Sequence, residues 1–185
     1  MRDLILLALP EEAPNLAKKY KNVCTVGVGK VNSAINATWL ITLFKADRVI
    51  NLGTAGAITV GPGIHRINEV VQHDVNLTPL GLEPGQQLND PLSWMHLGGE
   101  GKSCASGDLF VTEPHKLRIA CDIVEMEAYS IARAAKTAGI EVEIWKYITD
   151  NADADSSKTW QDKVAEGEQH YLQVLEQLNA TLEPA

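Results

Sequence analysis

Basic residues are in the minority in this sequence. Sixteen Lys and Arg stand against twenty-four Asp and Glu, a net charge of −8. No basic cluster is denser than Lys18, Lys19 and Lys21, which reads as a solvated helix end. A nucleic-acid-binding surface needs a basic face, so a nucleic-acid partner is excluded. Cysteine is scarce as well. Cys24, Cys104 and Cys121 form an odd set without CxxC spacing, which excludes a disulfide framework and fits free thiols in a reducing, cytoplasmic setting. Long apolar runs are missing. The stretch Leu4 to Leu9 is followed at once by Pro10, Glu11 and Glu12, too short for a signal peptide and without its cleavage site. No run reaches membrane-spanning length, so no membrane partner is expected.

Nucleotide and metal signatures are also lacking. Gly27-Val28-Gly29-Lys30 has neither the second glycine and Lys-Ser/Thr ending of a phosphate loop nor a continuation to GxGxxG. It reads as a tight turn that seats the following helix on a sheet. His73 and Asp74 have no third ligand and no nucleophile elbow beside them, so they read as a structural pair. No metal or organic cofactor is implied. Internal repeats and low-complexity tracts are absent.

What is present is an ordinary globular composition. The chain has 185 residues, 45% of them hydrophobic, enough for one domain spanning 1–185. Residues 4–9 (LILLAL) read as a strand buried on both faces, the kind found in parallel sheets. Strands follow at 23–28 and 48–52, separated by an amphipathic helix from Asn32 to Ala46 on which Ala34, Ala37, Ile41 and Phe44 keep helical spacing. Strand-like pieces fall at Glu69 to Gln72 and Val75 to Thr78. The stretch from Leu88 to Ala105 has little periodicity and reads as loop. A helix from about Glu127 to Ala138 ends at Gly139, a C-cap residue. The strand 141–148 and one C-terminal helix from about Ser157 to Leu178 complete the chain. On that last helix Trp160, Val164, Tyr171, Val174, Leu175 and Leu178 share a side, and the Trp residues read as core or interface anchors. The β-α-β alternation predicts an α/β fold with a central, mostly parallel mixed sheet flanked by helices.

Ligands in such sheets bind beyond the carboxyl ends of the strands. The residues found there are Glu11 and Glu12, then Gly27 to Lys30, Gly53-Thr54-Ala55-Gly56, Glu125-Met126-Glu127, and Thr149-Asp150-Asn151. Three of the five points carry carboxylates and none an arginine. Acids suit proton transfer to a substrate that becomes positively charged, as a sugar does when its glycosidic bond breaks. Taken singly, Glu12 and Asp150 read equally well as carboxylates balancing helix N-termini. Glu125 and Glu127 flank Met126 and point in different directions, one to the pocket and the other to solvent or a backbone N–H.

Six blocks occur in order: Gly27-Val28-Gly29-Lys30-Val31-Asn32, Asn51 to Gly56, His73 to Thr78, Ser106-Gly107-Asp108-Leu109-Phe110, Val124 to Ala128, and Ile148 to Asp153. Together they resemble the nucleoside phosphorylase/nucleosidase superfamily and, within it, the 5'-methylthioadenosine/S-adenosylhomocysteine nucleosidases. The resemblance spans nearly the whole chain and implies a three-layer α/β/α domain that hydrolyses the N-ribosidic bond of an adenine nucleoside. Nucleoside and water would be its small-molecule partners, and a homodimer its assembly. It implies Asp150 as the general acid to the purine, protonated near neutral pH by burial, and Glu12 as the base that activates water. Glu127 would hold the ribose hydroxyls, with Met126 against the sugar and Glu125 and Leu9 as further substrate contacts. Phe110 would stack on the adenine, the Val111 backbone would read its edge, and Thr54, Ala55 and Gly56 would shape the floor. Leu80 and Leu82 would line the 5' pocket of the partner subunit, where the family tends to carry aromatics. The chain departs from the pattern in three further ways. It is shortened between Gln86 and Ser106 and between Val111 and Asp122, Thr149 replaces a Ser before the acid, and Lys146 stands where an Arg is common nearby.

Overall fold

A computed structural model describes residues 1–185. Its core follows from the strand β1 (Asp3–Leu7), in which every residue is buried. Successive side chains of a strand face opposite ways. Leu4 and Leu6 therefore enter one hydrophobic cluster, and Ile5 and Leu7 enter another. The first cluster is closed by α2 (Lys30–Phe44) and α3 (Ala128–Ala138), through Ala37, Leu40, Ile41, Ile131 and Ala135. The second is closed by α1 (Leu16–Lys19) and α5 (Gly167–Gln177), through Leu16, Tyr171, Val174 and Leu175. Helices on both faces of one sheet make the three-layer α/β/α arrangement expected from the sequence.

The sheet has eight strands. β2 (Val23–Thr25) and β3 (Arg48–Ala57) flank β1 in parallel, and β3 continues in parallel to β8 (Glu141–Asp150). β4 (Gly63–Gln72) lies antiparallel to β8 and parallel to β6 (Lys102–Ser106), with the short β5 (Trp94–His96) on its other edge. β7 (Ile123–Glu125) pairs with β6 and then antiparallel with the end of β3. The path β3–β8–β4–β6–β7 thus returns to β3, so the sheet closes on itself at that end. No helix is long and apolar enough to cross a membrane.

Several element boundaries differ from the sequence reading. β1 stops at Leu7, ahead of the 3-10 turn Pro10–Glu12, and β2 stops at Thr25, ahead of the glycine turn, whereas β3 runs on to Ala57. Val75 to Thr78 is not a strand; a 3-10 turn occupies Thr78–Leu80. The stretch from Leu88 to Ala105 contains β5 and most of β6. β5 alternates exposed Trp94, buried Met95 and exposed His96 over only three residues, and the small residues of β6 (KSCAS) carry little periodic signal. The single C-terminal helix is in fact two, α4 (Ser156–Lys163) and α5. The bend at Val164–Glu166 lets Tyr171, Val174 and Leu175 face the sheet while Trp160 faces elsewhere. One straight helix could not serve both directions. The helix stop at Gly139 stands as expected, with φ +71.

Candidate active site

The carboxyl ends of β1, β3, β7 and β8 open into one cavity, and the 3-10 turn after β1 brings the first acid to it. Glu12 is 3% exposed, yet its carboxylate meets four donors. Oε2 accepts from the Ala8 and Leu9 N–H groups at 2.9 and 3.1 Å. Oε1 accepts from the Thr54 N–H at 2.8 Å and the Thr54 hydroxyl at 2.9 Å. A buried carboxylate is tolerated only when so satisfied. Gly53 leaves the room: a Cβ there would lie 3.1 Å from Glu12 Oε1 and 3.3 Å from Lys146 Nζ.

The second acid is set by an irregularity in β8. Along most of its length β8 pairs with β3 residue for residue, but Ala55 faces Ile148 and Gly56 faces Asp150. Thr149 is the extra residue, a bulge of the kind that re-aims a side chain at a functional site. Asp150 Oδ1 then accepts the Ala152 N–H and Oδ2 the Thr149 hydroxyl, both at 2.9 Å. A Cβ on Gly56 would come within 2.9 Å of Asp150 Oδ1, so the floor must be glycine here.

Between the two lies the Glu125-Met126-Glu127 segment, which leads β7 into α3. Glu125 and Lys146 form an ion pair at 2.9 Å with both side chains 2% exposed. Glu125 also accepts the N–H groups of Glu127 and Ala128 at 3.0 and 2.8 Å and the Ser106 hydroxyl. Burial alone would raise the Glu125 pKa, but the Lys146 charge and these donors outweigh it and hold the carboxyl below its ordinary range. Burial likewise opposes the Lys146 charge. Glu125, Glu127 and Glu12 overcome that and keep the ammonium above its usual range. Glu127 has only the Gly29 N–H, at 2.8 Å. Burial, then the adjacent Glu125 charge, pushes its pKa up to about 8. Both glutamates line the cavity and both accept backbone N–H groups, so the expectation that only one of them reaches the pocket is corrected; they differ in that Glu125 alone is ion-paired.

The cavity wall includes Leu9, Glu12, Thr54, Ala55, Gly56, Phe110, Val111, Glu125, Met126, Glu127 and Asp150. Eleven of the thirteen sequence-picked residues are thus brought together, and Glu12 and Asp150 open onto the same space. Phe110 is 47% exposed at its edge. Leu80 and Leu82 lie outside this cavity: Leu80 is 65% exposed, and Leu82 lines a separate polar hollow with Pro84, Gln87 and Trp94. Asp74 accepts from Lys30 Nζ at 2.6 Å and from the Asp108 N–H at 2.9 Å, so it ties the glycine turn to the end of β6.

Sequence reasoning missed Ala8, Val28, Leu109, Val124 and Trp160 on the wall, and the role of Lys146 beneath it. Trp160 gave a misleading signal, because its spacing matches the apolar side of α5 although it stands on the separate helix α4. Lys146 did: it shares strand parity with Val142, Ile144 and Ile148, all in the core. A lysine at an inward position requires a buried carboxylate nearby.

The sequence and the fold have counterparts among known proteins. Residues 15–96 match the phosphorylase superfamily. A 5'-methylthioadenosine/S-adenosylhomocysteine nucleosidase of Shewanella baltica is 30% identical, the match covering 90% of this chain and 84% of that protein. The chain belongs to the 5'-methylthioadenosine/S-adenosylhomocysteine nucleosidase family. The crystal structure of the S-adenosylhomocysteine nucleosidase of Streptococcus pyogenes in complex with 5-methylthiotubericidin superimposes with a TM-score of 0.82 at 26% identity, covering 95% of this chain and 94% of that one. The futalosine hydrolase of Helicobacter pylori shares the nucleosidase fold, with a TM-score of 0.82 at 21% identity over 90% of this chain and 92% of that one.

Two outcomes are expected from the buried charges. Lys146→Met leaves Glu125 without its counter-ion and should cost about 3–5 kcal/mol in urea unfolding, with part recovered in the Glu125→Gln/Lys146→Met double variant. Glu127 takes up a proton on folding, because its folded pKa of about 8 lies above its ordinary value of 4.5. The stability this contributes is full below the ordinary value and lost as pH rises through the folded one. The urea midpoint should therefore fall between about pH 5 and pH 8, and Glu127→Gln should flatten that fall.

Proposed function

We propose that this chain, acting as one unit over residues 1–185, hydrolyses the N-ribosidic bond of an adenine nucleoside of the 5'-methylthioadenosine or S-adenosylhomocysteine type. The observation that carries the reading is the single cavity with Glu12 and Asp150 on its wall, Glu127 beside them, and no Lys, Arg or His among its lining residues. Asp150 donates to N7 of the purine and makes the base a better leaving group. Glu12 takes a proton from water, and the water oxygen bonds to the anomeric carbon as the C–N bond breaks. Glu127 is protonated up to about pH 8, so it can both donate to and accept from the ribose hydroxyls, with Met126 against the sugar. Phe110 and the Val111 backbone face the adenine. No organic or metal cofactor enters these steps. Free cysteines at positions 24, 104 and 121 fit a cytoplasmic location.

The absence of a cation on the cavity wall favours water over phosphate as the acceptor. Lys146 lies beneath the wall, engaged by Glu125. A phosphorylase would have to bring an anion against Glu12, with like charges apposed.

The assembly is a homodimer built on α2. Its buried face carries Ala37, Leu40 and Ile41, but Val31, Ile35, Trp39 and Leu43 recur every four residues on the opposite face, each 56–67% exposed. A helix apolar all round belongs in an interior, and a second copy of the chain supplies one. Val31 lies directly after the glycine turn that holds Glu127, so this face adjoins the cavity. In such a dimer Leu80 and Leu82 serve the 5' pocket of the other subunit.

Chromatography of adenosine and 5'-methylthioadenosine incubated with the protein should show free adenine and the free sugar, ribose or 5-methylthioribose, with or without phosphate. Asp150→Asn and Glu12→Gln should each abolish base release, about a hundredfold or more for loss of an acid–base group, while calorimetric binding persists. Near-normal turnover of either variant would remove that residue from the mechanism, and ribose-1-phosphate formation would transfer the reading to a phosphorylase. Sedimentation should find a dimer for the native chain and a monomer for Trp39→Glu; an unchanged dimer would place the interface elsewhere.

A further inference from the structure

By sequence Trp160 reads as a core or interface anchor, yet it stands on the cavity wall. Its helix, α4, reads SSKTWQDK, and Ser156 alone is fully buried in it. The indole Nε1 donates to Thr54 Oγ1 at 3.0 Å. Thr54 Oγ1 in turn lies 2.9 Å from Glu12 Oε1. An indole N–H can only donate, an ionised carboxylate can only accept, and a hydroxyl has one proton and two lone pairs. The polarity of this chain is therefore fixed: Trp160 donates to Thr54, and Thr54 donates to Glu12.

We propose that Trp160 is a positioning residue for Glu12, its indole N–H turning the Thr54 hydroxyl proton onto the carboxylate. This rests on the reading of Glu12 as the base that activates water. Each Glu12 oxygen already accepts two hydrogen bonds, so the carboxylate has no spare lone pair for a new proton. The three backbone N–H groups cannot pass a proton on, whereas the Thr54 hydroxyl can. Its proton moves to Glu12 Oε1 as Thr54 Oγ takes one from water, and the protonated Glu12 then donates to one Oγ lone pair while the indole keeps the other. The Trp160–Thr54 pair thus holds the base in both protonation states without moving a heavy atom. It also connects α4, a helix with little buried surface, to the chemistry.

The test uses Trp160→Phe, which keeps an aromatic wall and removes the donor, in a cycle with Thr54→Val, which keeps the shape and removes the hydroxyl. Trp160→Phe should lower kcat about fivefold, the equivalent of one ordinary hydrogen bond, with KM within about twofold of the native value. The double variant should turn over no more slowly than Thr54→Val alone, because the indole acts only through that hydroxyl. In ¹⁵N-resolved spectra the Trp160 indole proton, assigned by its loss in Trp160→Phe, should shift and exchange faster with solvent in Thr54→Val. An unchanged kcat, a loss confined to KM, or losses that multiply in the double variant would each show that Trp160 merely forms wall, and overturn the proposal. An indole resonance indifferent to Thr54→Val would remove the contact itself. Absence of any turnover by the native chain would instead remove the hydrolase reading, and this proposal with it.

Discussion

The ion pair between Lys146 and Glu125 is the point on which this architecture turns. Two opposite charges have been taken almost wholly out of water, a cost of several kcal/mol per ion if unpaired. That cost is offset only because four elements meet there at once. β8 brings the ammonium, β7 the carboxylate, β6 the Ser106 hydroxyl, and α3 its first free N–H groups. The pair therefore specifies how the closing strands of the sheet must stack, and it does so directly under the cavity. Its electrostatic reach extends further: Glu127, two residues on, keeps its proton partly because Glu125 stays charged.

The same site separates its carboxylates by environment. Glu12 receives four donors, Glu125 a cation and three donors, and Glu127 a single N–H. Glu125 and Glu127, both buried, are shifted in opposite directions: against its burial Lys146 holds the first down, while burial and the Glu125 charge push the second up. The glycines follow from this crowding, since a Cβ at Gly56 would collide with Asp150 and one at Gly53 would press on Glu12.

Much of this could be read from the chain, and what could not has identifiable causes. β1, β8 and α3 were visible because uninterrupted burial or strict periodicity leaves a strong pattern. Eight of the picked wall residues (Thr54, Ala55, Gly56, Phe110, Glu125, Met126, Glu127 and Asp150) were visible because they lie in blocks that match a family in order. β6 was not, since KSCAS is buried by its neighbours rather than by its own hydrophobicity. The break between α4 and α5 was hidden because apolar residues on both sides of it keep one helical spacing while facing different targets. Trp160 was hidden for a related reason: its partner, Thr54, is 106 residues away, and no local pattern reports such a pairing. Lys146 lay in plain view at an inward position of a strand, where parity alone marks it as the holder of a buried acid.

The bulge at Thr149 makes strand length a chemical quantity. Ile148 stands opposite Ala55 and Asp150 opposite Gly56, so two residues of one strand that are two apart face opposite ways. In a regular ladder positions 148 and 150 would share a face, and the carboxyl would be turned away from the cavity. The one extra residue therefore decides on which side of the sheet Asp150 stands. In this family of shapes, counting residues is part of the catalysis.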